Sequence, residues 1–248
     1  MSCRLPSSLL FAALLCAGLE LLRAAPPAPQ PGARHAGDDF RNGLGQWCVE
    51  QQPGGTVTAA DGQLVITDTG GCTVWFRPQL RAPLVITYTA TVAATPRVSD
   101  LNCFWMATDP ARPGHLLAAG HRRDGRFATY DTLRTYYVGC GGNGNTTTRF
   151  RRYDGKGARP LLPEHDRQDS AALLQADHPY RIQLTVTAEG RVQFIRDGVV
   201  LFDYLDPQPL REGWFGFRTV NSRIEIRDFA VSSPSPEDVS LRVETPGR

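Results

Sequence analysis

Between Tyr136 and Tyr153 the chain reads YYVGCGGNGNTTTRFRRY. Few residue types could do more with a polar ligand. A tyrosine hydroxyl donates or accepts, an asparagine amide does both, and arginine offers a planar fork of donors. Aromatic faces beside such donors suit a sugar, which has apolar C–H faces and a rim of hydroxyls. Tyrosine and histidine also move protons, while arginine and asparagine hold a carboxylate or a developing anion by charge-assisted hydrogen bonds. The block therefore reads as a binding surface first and a catalytic one second.

The elements that position this block read as strands. In Leu84–Ala93, Ile86, Tyr88, Ala90 and Val92 fall on one face, and Thr87, Thr89 and Thr91 on the other. In Tyr180–Thr187, Ile182, Leu184 and Val186 alternate with Arg181, Gln183 and Thr185. Both are half-buried strands by the period-two rule. Turn signals fall at Asp61–Gly62, Glu189–Gly190 and Asp197–Gly198, the last centring a hairpin. Helical periodicity is absent after the leader, apart from one short turn near 170–176. Many short strands separated by regular turns imply two stacked antiparallel sheets, an all-β sandwich or jelly roll.

The ends of the chain carry a different message. Arg4, the apolar run from Leu9 to Leu22 and Ala24–Ala25 make residues 1–25 a secretory signal. Glu20 interrupts the run, which is shorter than the roughly 20 residues of a spanning helix. Residues 26–37 read as a disordered lead-in, 38–232 as one domain and 233–248 as a disordered tail. The expected location is secreted or periplasmic, with no membrane attachment after cleavage. A formal net charge of +2 gives no nucleic-acid footprint. Export exposes Cys48, Cys72, Cys103 and Cys140 to oxidation. Neighbouring strands suggest Cys48–Cys72 and Cys103–Cys140, with free buried thiols as the alternative.

Asp39–Glu50 (DFRNGLGQWCVE) and Gly213–Val231 (GWFGFRTVNSRIEIRDFAV) resemble the opening and closing strands of concanavalin-like lectin and glucanase domains. The middle block resembles the signature of an uncharacterised bacterial family, domain of unknown function 6250, associated with polysaccharide-degrading loci of the pectin type. The chain is more remotely similar to the keto-disaccharide hydrolases. These resemblances imply a concanavalin-like jelly roll whose curved sheet presents a groove to a polysaccharide or oligosaccharide. They imply no cofactor, although related sandwiches hold a structural calcium, for which Asp39 and Asp228 are the candidates.

The glucanases of that fold carry E-x-D-x-x-E on one strand, and no glutamate here has that spacing. A carboxylate pair for ordinary glycoside hydrolysis is not evident near the signature. G-x-S-x-G, H-E-x-x-H and phosphate-loop motifs are also missing. Tyrosine, histidine, arginine and asparagine remain, the set used by polysaccharide lyases of the same fold for β-elimination on a uronate. His121 is the first candidate base, against a surface role among Arg122, Arg123 and Asp124. His115, His165 and His178 read as loop residues. Strand alternation sets Tyr136 with Val138, toward a core, and Tyr137 with Gly139, toward a groove. Either is a candidate for proton transfer, with Tyr130 as a third tyrosine near the ligand.

Arg149 and Arg151 share a face and would hold a carboxylate, while Phe150 and Arg152 share the other. Asn143 and Asn145 are ligand contacts or, as glycine neighbours, parts of a hairpin turn. Trp105 is a sugar-stacking candidate among four tryptophans whose default is the core, and Arg218 with Asn221 would close the far side. The leading expectation is thus a secreted lyase. A non-catalytic carbohydrate-binding module or a hydrolase of modified sugars is the alternative.

Overall fold

The computed structural model describes residues 27–120 and 122–235. The expected signal sequence (residues 1–25), the tail beyond Ser235 and His121 lie outside the described residues. In chain order the strands are β1 (Pro31–Asp38), β2 (Trp47–Gln51), β3 (Thr56–Ala60), β4 (Gln63–Thr67), β5 (Cys72–Phe76) and β6 (Leu80–Arg81). Then come β7 (Leu84–Val92), β8 (Leu101–Thr108), β9 (Arg134–Gly141), β10 (Thr147–Asp154) and β11 (Asp166–Arg167). The series closes with β12 (Tyr180–Val186), β13 (Arg191–Arg196), β14 (Val199–Leu205), β15 (Glu212–Thr219) and β16 (Arg223–Pro234).

These strands form the expected sandwich of two antiparallel sheets. One runs β14-β13-β12-β7-β16-β4-β3, and the other β11-β10-β9-β8-β15-β5-β2. In the first, the long strand β16 pairs with β4 at Arg223–Ile226 and with β1 beyond its bulge at Asp228. Local chemistry follows the turn signals. Asp61 and Gly62, and Asp197 and Gly198, all take positive φ, as two-residue hairpins with matching twist require.

Alternation builds the core between the sheets. Ile86, Tyr88, Ala90 and Val92 are buried there, while the threonines between them are half-exposed. From the second sheet come Trp47, Phe76, Phe215 and Phe217, packed with Phe229 of β16; Trp47 stands 5.4 Å from Phe217 and 5.2 Å from Phe229, ring centre to ring centre. Each such side chain contributes on the order of 1.5–3 kcal/mol by leaving water.

Expectations are corrected at the ends of the domain and at the cysteines. The lead-in is not disordered throughout: residues 31–38 form β1, with Arg34 opposite Ser232 and Asp38 opposite Phe229. The domain likewise reaches Pro234. The one short helical turn expected near 170–176 is present, as a 3-10 turn at Ser170–Ala172. Among the described residues the four cysteines, Cys48, Cys72, Cys103 and Cys140, are free and buried. Cys48 stands on the outer face of its sheet and Cys72 in the core, so period-two alternation separates that pair. Cys103 and Cys140 share the core but are not opposite each other: Cys103 faces Val138 and Cys140 faces Leu101. Burial holds the Cys103 thiol up at about 12.

Candidate functional site

The outer face of the second sheet carries a polar row across seven of its strands. Glu50 lies opposite Thr73, Thr73 opposite Arg218, and Arg218 opposite Asn102. Asn102 lies opposite Gly139, Gly139 opposite Arg149, and Arg149 opposite Asp166. At about 4.8 Å per interstrand step, the row is roughly 29 Å long. The adjacent row is aromatic at its centre, with Trp75, Phe104 and Tyr137.

A strap of residues 109–120 and 122–133 covers one half of this face. It contributes Leu116, Tyr130 and Leu133 to a second apolar cluster with Trp75, Phe104, Tyr137 and Tyr153. Its polar anchors converge on the row. Glu50, 2% exposed, accepts from Trp75 Nε1 at 2.8 Å, Tyr130 Oη at 2.9 Å and the Arg123 backbone N–H at 2.8 Å. Arg123 also pairs with Asp109 at 2.7 Å. Arg218 donates to Thr73 Oγ1 and to the Gly125 carbonyl, and lies 4.8 and 4.9 Å from the ring centres of Phe127 and Tyr130.

The other half is open. Arg149 holds Asp166 through Nε at 2.8 Å and Nη2 at 3.1 Å, and the Arg149 side chain keeps 29% of its surface. Hydrogen bonding by Arg149 holds the Asp166 carboxyl below its ordinary range. Arg151, on the same face, donates to the Arg159 carbonyl. Between the halves lies Gly139. A Cβ there would come within 3.2 Å of the Tyr137 ring and hydroxyl, so Tyr137 leans over bare backbone. Burial, then Tyr153, raises the Tyr137 pKa well above the ordinary tyrosine value, and burial lifts Tyr153 to about 12.

Tyr137, Arg149, Arg151 and Arg218 thus share one face, with Arg218 beneath the strap. Other candidates are elsewhere. Tyr136 points into the core, its hydroxyl donating to Asp206 at 2.7 Å and accepting from the Leu210 N–H at 3.0 Å. Trp105 is fully buried in the same core, so it is no stacking platform. Tyr130 is in the strap, committed to Glu50. The Asn143–Asn145 stretch is a turn: Asn143, Gly144 and Asn145 take positive φ. The Asn145 amide is used twice by the Leu174 backbone, at 2.8 Å each way, and Asn143 bonds Thr147. Asn221 has positive φ in the turn before β16. His165 is buried against Phe150, 4.8 Å between ring centres, and burial lowers its pKa.

Asp39 lies beside the β1–β16 pairing that brings Asp38 opposite Phe229, close to Asp228. Among the described residues, however, no three metal-ligating side chains gather. Sequence reasoning gave no role to Glu50, Asn102, Arg123 or Asp166. For two of them a signal existed: Glu50 in WCVE and Asn102 in LNCFWMA are lone polar residues on apolar strands. Arg218 in GWFGFRTV shows the same signal.

The fold and this face define a galectin-like sandwich. A Bacillus subtilis protein of unknown function with a galectin-like fold superposes with a TM-score of 0.65 at 19% identity, over 84% of this chain and 99% of that one. A Bacillus subtilis carbohydrate-binding module, CBM66, gives 0.53 at 11% identity, over 76% and 96%. A sialidase gives 0.50 at 12%, over 87% of this chain but 20% of its own. No curated protein matches the chain in sequence. Residues 66–229 match the model of the domain of unknown function DUF6250, and the chain belongs to that family.

Proposed function

We propose that this protein binds carbohydrate along the outer face of its second sheet, at Asn102, Tyr137, Gly139, Arg149 and Arg151. The observation that carries the reading is the polar row broken by Gly139 and overhung by Tyr137. The half-exposed guanidinium groups of Arg149 and Arg151 beside the tyrosine that covers Gly139 meet the hydroxyls of a sugar. The shared fold with a carbohydrate-binding module supports the same reading. The leader-like residues 1–25 support a secreted or periplasmic location.

Elimination on a uronate is the catalytic version of this proposal. Burial keeps Tyr137 and Tyr153 protonated at neutral pH, so they serve as donors of hydrogen bonds or of a proton. The base would fall to His121. Calorimetric titration with a panel of neutral and acidic oligosaccharides, with far-ultraviolet detection of unsaturated product, separates the versions. Binding without product identifies a binding module, and product identifies a lyase. Neither binding nor product on any glycan overturns the proposal.

A further inference from the structure

Alternation splits the Tyr136–Tyr153 block, and the proposed groove uses one face of it. The other face leads to a cleft at the end of the sandwich. Tyr136 and Arg152 are cross-strand partners, and both meet Asp206, which is 2% exposed. Asp206 Oδ2 accepts from Tyr136 Oη at 2.7 Å and Arg152 Nε at 2.8 Å, and its Oδ1 accepts from the Gln208 N–H at 2.9 Å. The Tyr136 hydroxyl accepts in turn from the Leu210 N–H. This network fixes residues 206–210 before any ligand arrives. Two solvent-open clefts of about 330 and 440 Å³ meet there, sharing Arg134, Pro209 and Leu210. None of the residues proposed to bind saccharide lines them.

The charges of this lining do not balance. Arg152 is answered by Asp206, Asp109 by Arg123 and Glu212 by Arg81. Arg211 donates to the Thr187 and Ala188 carbonyls. Arg134 and Lys156, the only lysine of the chain, are exposed and form no ion pair among the described residues. Against Arg134, Lys156 and Arg211 stands one further lining carboxylate, Asp154, so two positive charges go unanswered. The backbone brings two of these cations together. Asp154 lies opposite Arg134, and Gly155 turns there with positive φ. A Cβ at Gly155 would stand 2.6 Å from Pro110 and 3.2 Å from the Arg134 Cβ, so the turn lies directly on Arg134, with Lys156 next in the chain.

We propose that this end cleft binds a tetrahedral oxyanion ester, a phosphate or sulfate carried on a small organic body. Two cations on separate backbone segments meet separate oxygens of a tetrahedral group, whereas a planar carboxylate is matched by a single guanidinium fork. The excess charge suits a phosphate monoester, which carries about −1.5 to −2 at pH 7. Pro110, Pro113, Pro209 and Leu210 give the body an apolar wall. The site is separate from the saccharide face and does not rest on that reading.

The test titrates the full-length protein with inorganic phosphate, sulfate and acetate, then with a glucose phosphate monoester, the matching sulfate ester and glucose itself. At least one ester is expected to bind about tenfold or more tightly than glucose, as for a site built to pair a specific polar group. The tighter ester names the oxyanion, and acetate should bind more weakly than its inorganic parent. Arg134→Ala and Lys156→Ala should each weaken the ester about tenfold, while Arg181→Ala on the first sheet leaves it unchanged. Both targets are exposed surface side chains, so the variants should fold. With one lysine in the chain, bound ester should also protect Lys156 from acetylation, read by mass spectrometry of its peptide. Glucose or acetate binding as tightly as the oxyanions overturns the inference, and so does parental affinity in both variants. Loss of ester binding in Arg149→Ala but not in Arg134→Ala would put the anion on the outer face and overturn it as well. The carbohydrate reading is tested on different side chains and stands or falls separately.

Discussion

The outer faces of the two sheets obey the same period-two rule and end differently. On the first sheet, Thr87, Thr89 and Thr91 of β7, Arg181 of β12 and Arg227 of β16 stay in contact with water. Their polarity costs nothing, and any soluble residue would serve. On the second sheet the equivalent positions are Glu50, Arg218 and Asn102, all at least nine-tenths buried. There the strap replaces water with a fixed set of partners, and each polar atom must be met or left at a cost. A sheet face that needs only solubility tolerates drift. A face with a buried acid, a buried guanidinium and an idle amide oxygen does not.

The largest effect separating the two faces should come from Glu50→Ala. It strands Trp75 Nε1, Tyr130 Oη and the Arg123 N–H together. A loss of roughly 3–5 kcal/mol in urea unfolding is expected, against about 0.5 kcal/mol or less for Arg181→Ala on the first sheet. Equal losses would erase the contrast. Next is Gly139→Val, which drives a side chain against the Tyr137 ring lying over this position. Overpacking should cost about 1–3 kcal/mol while abolishing saccharide binding in calorimetry; unchanged binding would move the site away from this position.

Arg149→Ala should be mild for stability, about 0–1 kcal/mol for a half-exposed pair. The same variant should weaken binding about tenfold, since hydrogen bonds to charged groups are among the stronger ones. The smallest effect concerns His165. Burial holds its folded-state pKa below the ordinary 6.5, so the unfolded chain takes up a proton that the folded one refuses. Stability should therefore fall as pH drops below about 6.5 and be insensitive to this group above it. His165→Phe should flatten that part of a thermal-melting profile.

Much of this architecture is legible from alternation. The strands Leu84–Val92 and Tyr180–Val186, the Asp–Gly hairpins and the division of Tyr136 from Tyr137 all follow from local chemistry. The facing of Arg149 and Arg151 does too. Residues 31–37 were misread because proline, glycine and polar residues resemble a linker; pairing with β16 overrides that propensity. Asn145 was open to two readings because its partner, Leu174, is 29 residues away. Arg218 showed as a lone charge in an apolar strand, but nothing local revealed that the strap would bury it.

The sequence alone determined which side chains leave each strand on which side, because that depends only on the two-residue repeat of the extended backbone. It also marked the Tyr136–Tyr153 block as rich in donors. Only the tertiary structure decided that Glu50, Thr73, Arg218, Asn102, Gly139, Arg149 and Asp166 form one row, and that a strap closes half of it. Those are matters of register between strands far apart in the chain. Register is set by the packing of the whole sandwich, and one residue of slip would have turned every member of the row to the other face.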